Sequence, residues 1–141
     1  MKIIDILKQD TLSMSFEVFP PKTDAAFDSV KTATEEIAAL APSFMSVTYC
    51  AGGGTSAYTL EIARNSEAKY AVPMLAHLTC VSSTREMVAE RIEAMKAAGI
   101  QNVMALRGDL TPEMEGKDRS GWAYRHAVEL IRELVESGGD F

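Results

Sequence analysis

The chain reads as an α/β protein built from consecutive strand–helix units, and three observations predict this. Four short apolar runs, at 14–19, 44–49, 73–79 and 102–108, recur about every 30 residues, the length of one βα unit. The segments between them carry apolar residues at helical spacing. Each run also ends on polar or turn-forming residues: Pro20-Pro21, Ala51-Gly52-Gly53-Gly54, Cys80 and Arg107-Gly108-Asp109. Alternation of this kind implies a parallel sheet. Two architectures fit it: an open, doubly wound parallel sheet, or about half of a (β/α)8 TIM-type barrel, whose whole form takes about 250 residues.

Taken in order, Met1 to Asp10 is a short amphipathic segment with Asp5 inside its apolar pattern, unlike a signal peptide. The first strand, Ser15-Phe16-Glu17-Val18-Phe19, is followed by a helix from Asp24 to Leu40. Thr23-Asp24 form its N-cap, and Phe27, Val30, Ala33, Ile37 and Leu40 lie on its apolar face. The second strand, Phe44 to Tyr49, precedes a weaker helix from Thr55 to Ala68. After the third strand, Pro73 to Thr79, the spacing predicts a helix over 83–98. Ser82-Ser83-Thr84 lead into it, Glu86 stands at capping-box distance from Ser83, and Gly99 ends it. The fourth strand gives way to a long polar loop, 110–121, typical of a segment over a binding site. A last helix is expected from Trp122 to Ser137.

At 141 residues and 47% apolar content the chain can bury one real core. A net charge of −6 argues against a nucleic-acid surface and against docking on anionic membranes. No apolar run approaches the ~18 residues of a membrane helix. Cys50 and Cys80 have no metal-ligand spacing and read as two reduced thiols of a cytoplasmic protein, so no metal is expected.

Several residues at the strand ends are chemically capable. Glu17 lies among Phe16, Val18 and Phe19, where a carboxylate either pairs with a cation or is pushed toward its protonated form by desolvation. A protonated carboxyl near neutral pH suits a general acid, and a strand-end hydrogen bond is the plain alternative. Asp109 can stabilise a cation in a dry pocket or simply open the turn toward Pro112. Arg107 can hold an anion or pair with a neighbouring carboxylate. His77, in an apolar run, is either a ligand-binding or a structural histidine. Gly52-Gly53-Gly54 alone is a weak phosphate-loop signal. Met45, Met74, Met87, Met95 and Met104 read as core filling.

Four of these stretches together resemble one family. Ser-Phe-Glu-Val-Phe-Pro-Pro-Lys-Thr (Ser15 to Thr23), Val47-Thr48-Tyr49 with Ala51-Gly52-Gly53, His77-Leu78-Thr79-Cys80 and Ala105-Leu106-Arg107-Gly108-Asp109 are similar, in this order, to the strand motifs of methylenetetrahydrofolate reductases. The resemblance runs from Ser15 onward and implies that residues 1–141 form the N-terminal part of a single flavin-binding βα-barrel catalytic domain. It implies an oxidoreductase of one-carbon metabolism and methionine biosynthesis. That enzyme uses bound FAD and NADH or NADPH to reduce 5,10-methylenetetrahydrofolate to 5-methyltetrahydrofolate. Carried over by position, Glu17 protonates the folate amine as its ring opens, and Asp109 stabilises the resulting iminium. Thr48, Tyr49, Ala51, His77, Arg107, Gly108, Asp109, His126 and Ala127 would contact the flavin cofactor. Cys50 replaces a usual glycine, and either His126 or Tyr124 occupies the family's tyrosine position, with His126 in better register. A full-length protein is expected to be a cytoplasmic homo-oligomer.

The alternative is a fragment with little or no activity alone, or a half-barrel that self-associates through open edges. On that view Phe16, Val18, Val47 and Leu106 would face the barrel interior and lack partners.

Overall fold

The computed structural model describes residues 1–9, 11–21, 23–49, 56–110, 112–116 and 118–141. Helix α1 (Ile3–Leu7) is followed by β1 (Ser15–Val18), α2 (Phe27–Ala38), β2 (Phe44–Val47), α3 (Ser56–Tyr70), β3 (Met74–Thr79), α4 (Arg85–Ala97), β4 (Val103–Leu106) and α5 (Ala127–Glu136). Single 3-10 turns at Asp24–Ala26 and Pro112–Met114 punctuate the connections. The expected alternation is present. The four strands form one parallel sheet in the order β1-β2-β3-β4, so each strand pairs with the next one in the chain. A doubly wound sheet reverses its strand order at a switch point. These four strands show no reversal, an order consistent with part of a βα barrel or with a singly wound open sheet.

Register assigns every strand side chain to one of two faces, because neighbouring partners in a sheet point the same way. Phe16, Met45 and Met74 share one row, Val18, Val47 and Ala76 the next, and Leu78 and Ala105 another. This face packs with Ala38, Ile62, Val88, Ile92, Met95, Leu130 and Leu134 of the helices into the apolar core. The opposite face carries Glu17, Ser46, Leu75, His77, Met104, Thr79 and Leu106.

The expectation that Phe16, Val18 and Val47 point into a barrel interior is therefore wrong. Alternation with period two sends them to the helix side, since Glu17 between Phe16 and Val18 faces the other way. Of the four residues, Leu106 alone lies on the second face.

Local boundaries shifted for identifiable reasons. Helix α4 is capped by Thr84, whose hydroxyl accepts the Met87 N–H at 3.3 Å. Ser83 is occupied otherwise, accepting from the Arg91 guanidinium at 2.8 Å, so the expected Ser83–Glu86 box does not form. Gly99 ends the helix as expected, at φ +73°, with the Ile100 N–H returning to the Met95 carbonyl at 3.0 Å. The last helix begins at Ala127 rather than Trp122. The Glu129 carboxylate accepts the backbone N–H groups of Arg125 and His126, capping the helix there. Residues 122–125 instead dock through Tyr124, whose buried hydroxyl donates to Glu133 at 2.6 Å.

At the N-terminal ends of the strands, Asn102 ties α1 to the sheet. Its Oδ1 accepts the Ile3 N–H at 2.7 Å, and its Nδ2 donates to the carbonyls of Met1 (3.0 Å) and Met74 (3.4 Å). Among the described residues, no helix is long and apolar enough to cross a membrane.

Candidate active site at the strand C-termini

The second face of the sheet gathers its polar side chains toward the C-terminal ends of the strands, as register requires. Glu17 pairs across with Ser46, and the Ser46 hydroxyl donates to Glu17 Oε1 at 3.3 Å. His77, one step along β3 from the Ser46 partner Leu75, brings Nε2 to 3.6 Å from the same oxygen. That distance is beyond hydrogen-bond reach. Burial pushes the imidazole below its ordinary pKa, while the Glu17 charge works weakly the other way, so His77 is neutral near pH 7. A neutral ring makes the contact with Glu17 a dipolar one rather than an ion pair. Its side chain is 9% exposed, and Nε2 has no hydrogen-bond partner among the described residues.

The carboxylate itself is open. The Glu17 side chain is 46% exposed, so the desolvation expected of an acid in an apolar strand is not supplied by these residues. Its two apolar neighbours in β1, Phe16 and Val18, face the helices and so do not cover it.

Beyond β4 the backbone is shaped by Gly108. Its φ of +90° lies in the left-handed region, and a Cβ there would sit 2.7 Å from Val81 Cγ1 and 3.1 Å from Thr79 Cβ. Only glycine fits this turn against the end of β3. The turn is pinned by the Val81 N–H donating to the Arg107 carbonyl at 2.7 Å. Asp109 emerges from it exposed. Arg107 and His126 line a cavity of about 450 Å³ under the 110–126 loop, together with Asp118, Arg119, Trp122 and Arg125.

The sequence-predicted residues thus fall into groups. Glu17 and His77 come together, with Thr48 one register step beyond Ser46 on the same face. Arg107 and His126 meet in the cavity, with Ala127 opening the adjoining helix. Tyr49 does not join either group through its side chain. Its ring is buried in the helix-covered core beneath the Arg91 guanidinium, 5.3 Å from the ring centre. Tyr124 is likewise buried, which leaves His126 as the member of that pair that lines the cavity. Ala51 and Cys50 lie outside the described residues, as do Gly52, Gly53 and Gly54. Sequence reasoning missed Ser46, Arg119 and Arg125. Alternation from Glu17 through the strand pairing was the signal for Ser46, and two arginines in an otherwise acidic chain's polar loop were the signal for the others.

A parallel sheet with titratable groups collected where its strands end is the construction of α/β enzymes and ligand-binding proteins. The chain belongs to the methylenetetrahydrofolate reductase family, whose model matches residues 2–141. It is 33% identical over 140 residues to methylenetetrahydrofolate reductase (NADH) 1 of Zea mays, covering 99% of this chain and 24% of that protein. It is 32% identical over 133 residues to the 5,10-methylenetetrahydrofolate reductase of Pectobacterium carotovorum, covering 94% of this chain and 42% of that protein. The Escherichia coli protein of the same name is 29% identical over 128 residues. The chain thus spans about a quarter to two fifths of the length of these relatives.

Proposed function

We propose that residues 1–141 are the N-terminal part of a βα-barrel flavoenzyme that reduces 5,10-methylenetetrahydrofolate to 5-methyltetrahydrofolate. The observation that carries this reading is the Glu17–Ser46–His77 group on the second face of the sheet. The residues fit a bound flavin: His77 offers a buried, unpartnered ring nitrogen, and Arg107 a guanidinium without a carboxylate partner among the described residues. When bound, FAD would carry the reducing equivalents between the nicotinamide and the folate.

The chain's own residues supply position and a proton. Ser46 holds Glu17 Oε1, which leaves Oε2 without a partner among the described residues and available to a substrate amine. From there Glu17 donates the proton that the folate amine needs to leave when the five-membered ring opens. Asp109 supplies a negative charge beside the cationic iminium that results, and would interact unfavourably with excess electron density on a reduced flavin. Thr48, Gly108, His126 and Ala127, with Ala51 and the Tyr49 backbone, complete the cofactor contacts on this reading. The plant relatives named for NADH favour NADH over NADPH as the donor. On this reading the full-length protein is a cytoplasmic homo-oligomer.

The test is Glu17→Gln in the full-length polypeptide. Folate reduction should fall by about 10²–10⁴-fold, the range of general acid catalysis, with flavin reduction by the nicotinamide largely unchanged. Stopped-flow measurement of each half-reaction decides it, and equal losses in both would remove Glu17 from this role.

A further inference from the structure

Ser46 is a buried hydroxyl in an otherwise apolar strand, flanked in β2 by Met45 and Val47. A hydroxyl kept from water needs a partner, and its place in the sheet limits the choice. Register sets Ser46 between Glu17 on one side and Leu75 on the other, all three on the second face. The Leu75 side chain offers no acceptor. The hydroxyl donates to Glu17 Oε1 instead, at 3.3 Å. His77 Nε2 approaches the same oxygen, but at 3.6 Å it stays outside hydrogen-bond reach. Two neighbouring strands thus converge on Oε1, and of their two groups only Ser46 is bonded to it. Oε2 has no hydrogen-bond partner among the described residues, on a side chain that is 46% exposed.

A carboxyl group that acts as an acid carries its proton on one oxygen, and a donor aimed at the other oxygen decides which. An oxygen already receiving the Ser46 O–H is poorly placed to carry a proton of its own. We propose that Ser46 is a positioning residue that fixes the acid proton of Glu17 on Oε2, the oxygen left open to the substrate amine. The role rests on Glu17 being the general acid and adds what directs its proton. In that step the proton leaves Oε2 for the amine nitrogen. The ring C–N bond then breaks with its electron pair staying on that nitrogen, and the carbon becomes that of the iminium. Glu17 is left as a carboxylate whose Oε1 already holds the Ser46 donor. Hydrogen bonds to ionised groups are stronger than those to neutral ones, so this contact tightens as the proton departs. Ser46 acts on the reaction through Glu17 alone.

The experiment compares Ser46→Ala, Ser46→Thr and Glu17→Gln with the wild type, all in the full-length polypeptide. In Ser46→Ala the folate half-reaction should slow by about tenfold, the worth of one hydrogen bond to a developing charge. Flavin reduction by the nicotinamide should be unchanged, which also shows that the variant is folded. Ser46→Thr keeps the hydroxyl and should restore most of the folate rate. The solvent deuterium isotope effect on that half-reaction should grow in Ser46→Ala, because the proton then starts misplaced. A loss of packing alone would leave the isotope effect as it was. Infrared difference spectra on acidification give a readout that needs no turnover. The protonated-carboxyl band that Glu17→Gln lacks should move to higher wavenumber in Ser46→Ala, as its C=O loses a donor, and return in Ser46→Thr. A folate rate unchanged in Ser46→Ala, or not restored by Ser46→Thr, overturns the role, as does a band that stays in place. If Ser46→Ala is silent while Glu17→Gln still cripples folate reduction, the positioning role alone falls. If Glu17→Gln is silent as well, the general-acid reading falls with it.

Discussion

The two ends of the parallel sheet are built on opposite terms. At the N-terminal ends, Asn102 has its acceptor and both donor directions filled by Ile3, Met1 and Met74, and Lys2 and Gln101 both reach Asp140. At the C-terminal ends, among the described residues, His77 Nε2 is buried without a hydrogen-bond partner, Glu17 uses one oxygen, and Arg107, Arg119 and Arg125 line a cavity without a salt bridge. Polar groups buried and satisfied raise stability, whereas groups held in place but unsatisfied lower it and are retained where something else is to be bound. One end of this sheet is spent on holding the fold, and the other keeps polar groups without partners among the described residues, as the proposed function requires.

Breaking the turn at the ligand end should have the largest effect on stability. Gly108→Ala places a Cβ on a left-handed backbone and within 2.7 Å of Val81 Cγ1. Backbone strain and overpacking together cost about 2–5 kcal/mol. Denaturant melts should show that loss, and ligand binding should suffer with it because Arg107 and Asp109 flank the residue. A melt unchanged from wild type would mean that the turn relaxes freely.

At the structural end the effect should be smaller and confined to folding. Asn102→Ala removes three hydrogen bonds and leaves the Ile3 N–H without its acceptor, a loss of about 1–3 kcal/mol. Half-reaction rates measured well below the melting temperature should stay as in the wild type. A change in those rates would blur the division between the two ends.

The smallest expected effect is a pH dependence carried by His77. Its folded pKa is depressed by burial, so the unfolded chain binds the proton more readily. Stability from this source is complete above the unfolded value of about 6.5 and declines as pH falls from there toward the folded value. His77→Gln should flatten that part of the profile, measured by denaturant midpoints between pH 7.5 and pH 5, values chosen to bracket the reference pKa of about 6.5. An identical slope in the variant would assign it to another group.

Much of this architecture could be read before the coordinates, because strand–helix alternation depends on local patterns that survive in a single sequence. The polar strand ends were legible for the same reason. What was not legible depended on pairing. Phe16, Val18 and Val47 are apolar, and apolarity alone does not say which of two faces a side chain joins; Glu17 and the register with Ser46 decide it. The cap of α4 turned on Arg91, eight residues along from Ser83, taking the Ser83 hydroxyl and leaving Thr84 to cap the helix. Arg119 and Arg125 sit in a loop with no periodicity, so only the folded path of 110–126 shows that they meet Arg107.

The unreversed strand order also sets a timetable for assembly. Register partners along the sheet are 29 residues apart from β1 to β2, as in Ser15 with Phe44, and 27 apart from β3 to β4, as in Ala76 with Val103. Each strand therefore closes a loop of similar, modest length on the one before it. The Ile3–Asn102 bond spans 99 residues and closes the longest of these loops, at the greatest entropic cost. Short closures outpace long ones, so the sheet should assemble strand by strand and the α1 latch should shut afterwards. Pulsed hydrogen exchange during refolding should find the Ile3 amide protected later than the amides of Met45 and Ala76, and simultaneous protection would show that the latch forms with the sheet.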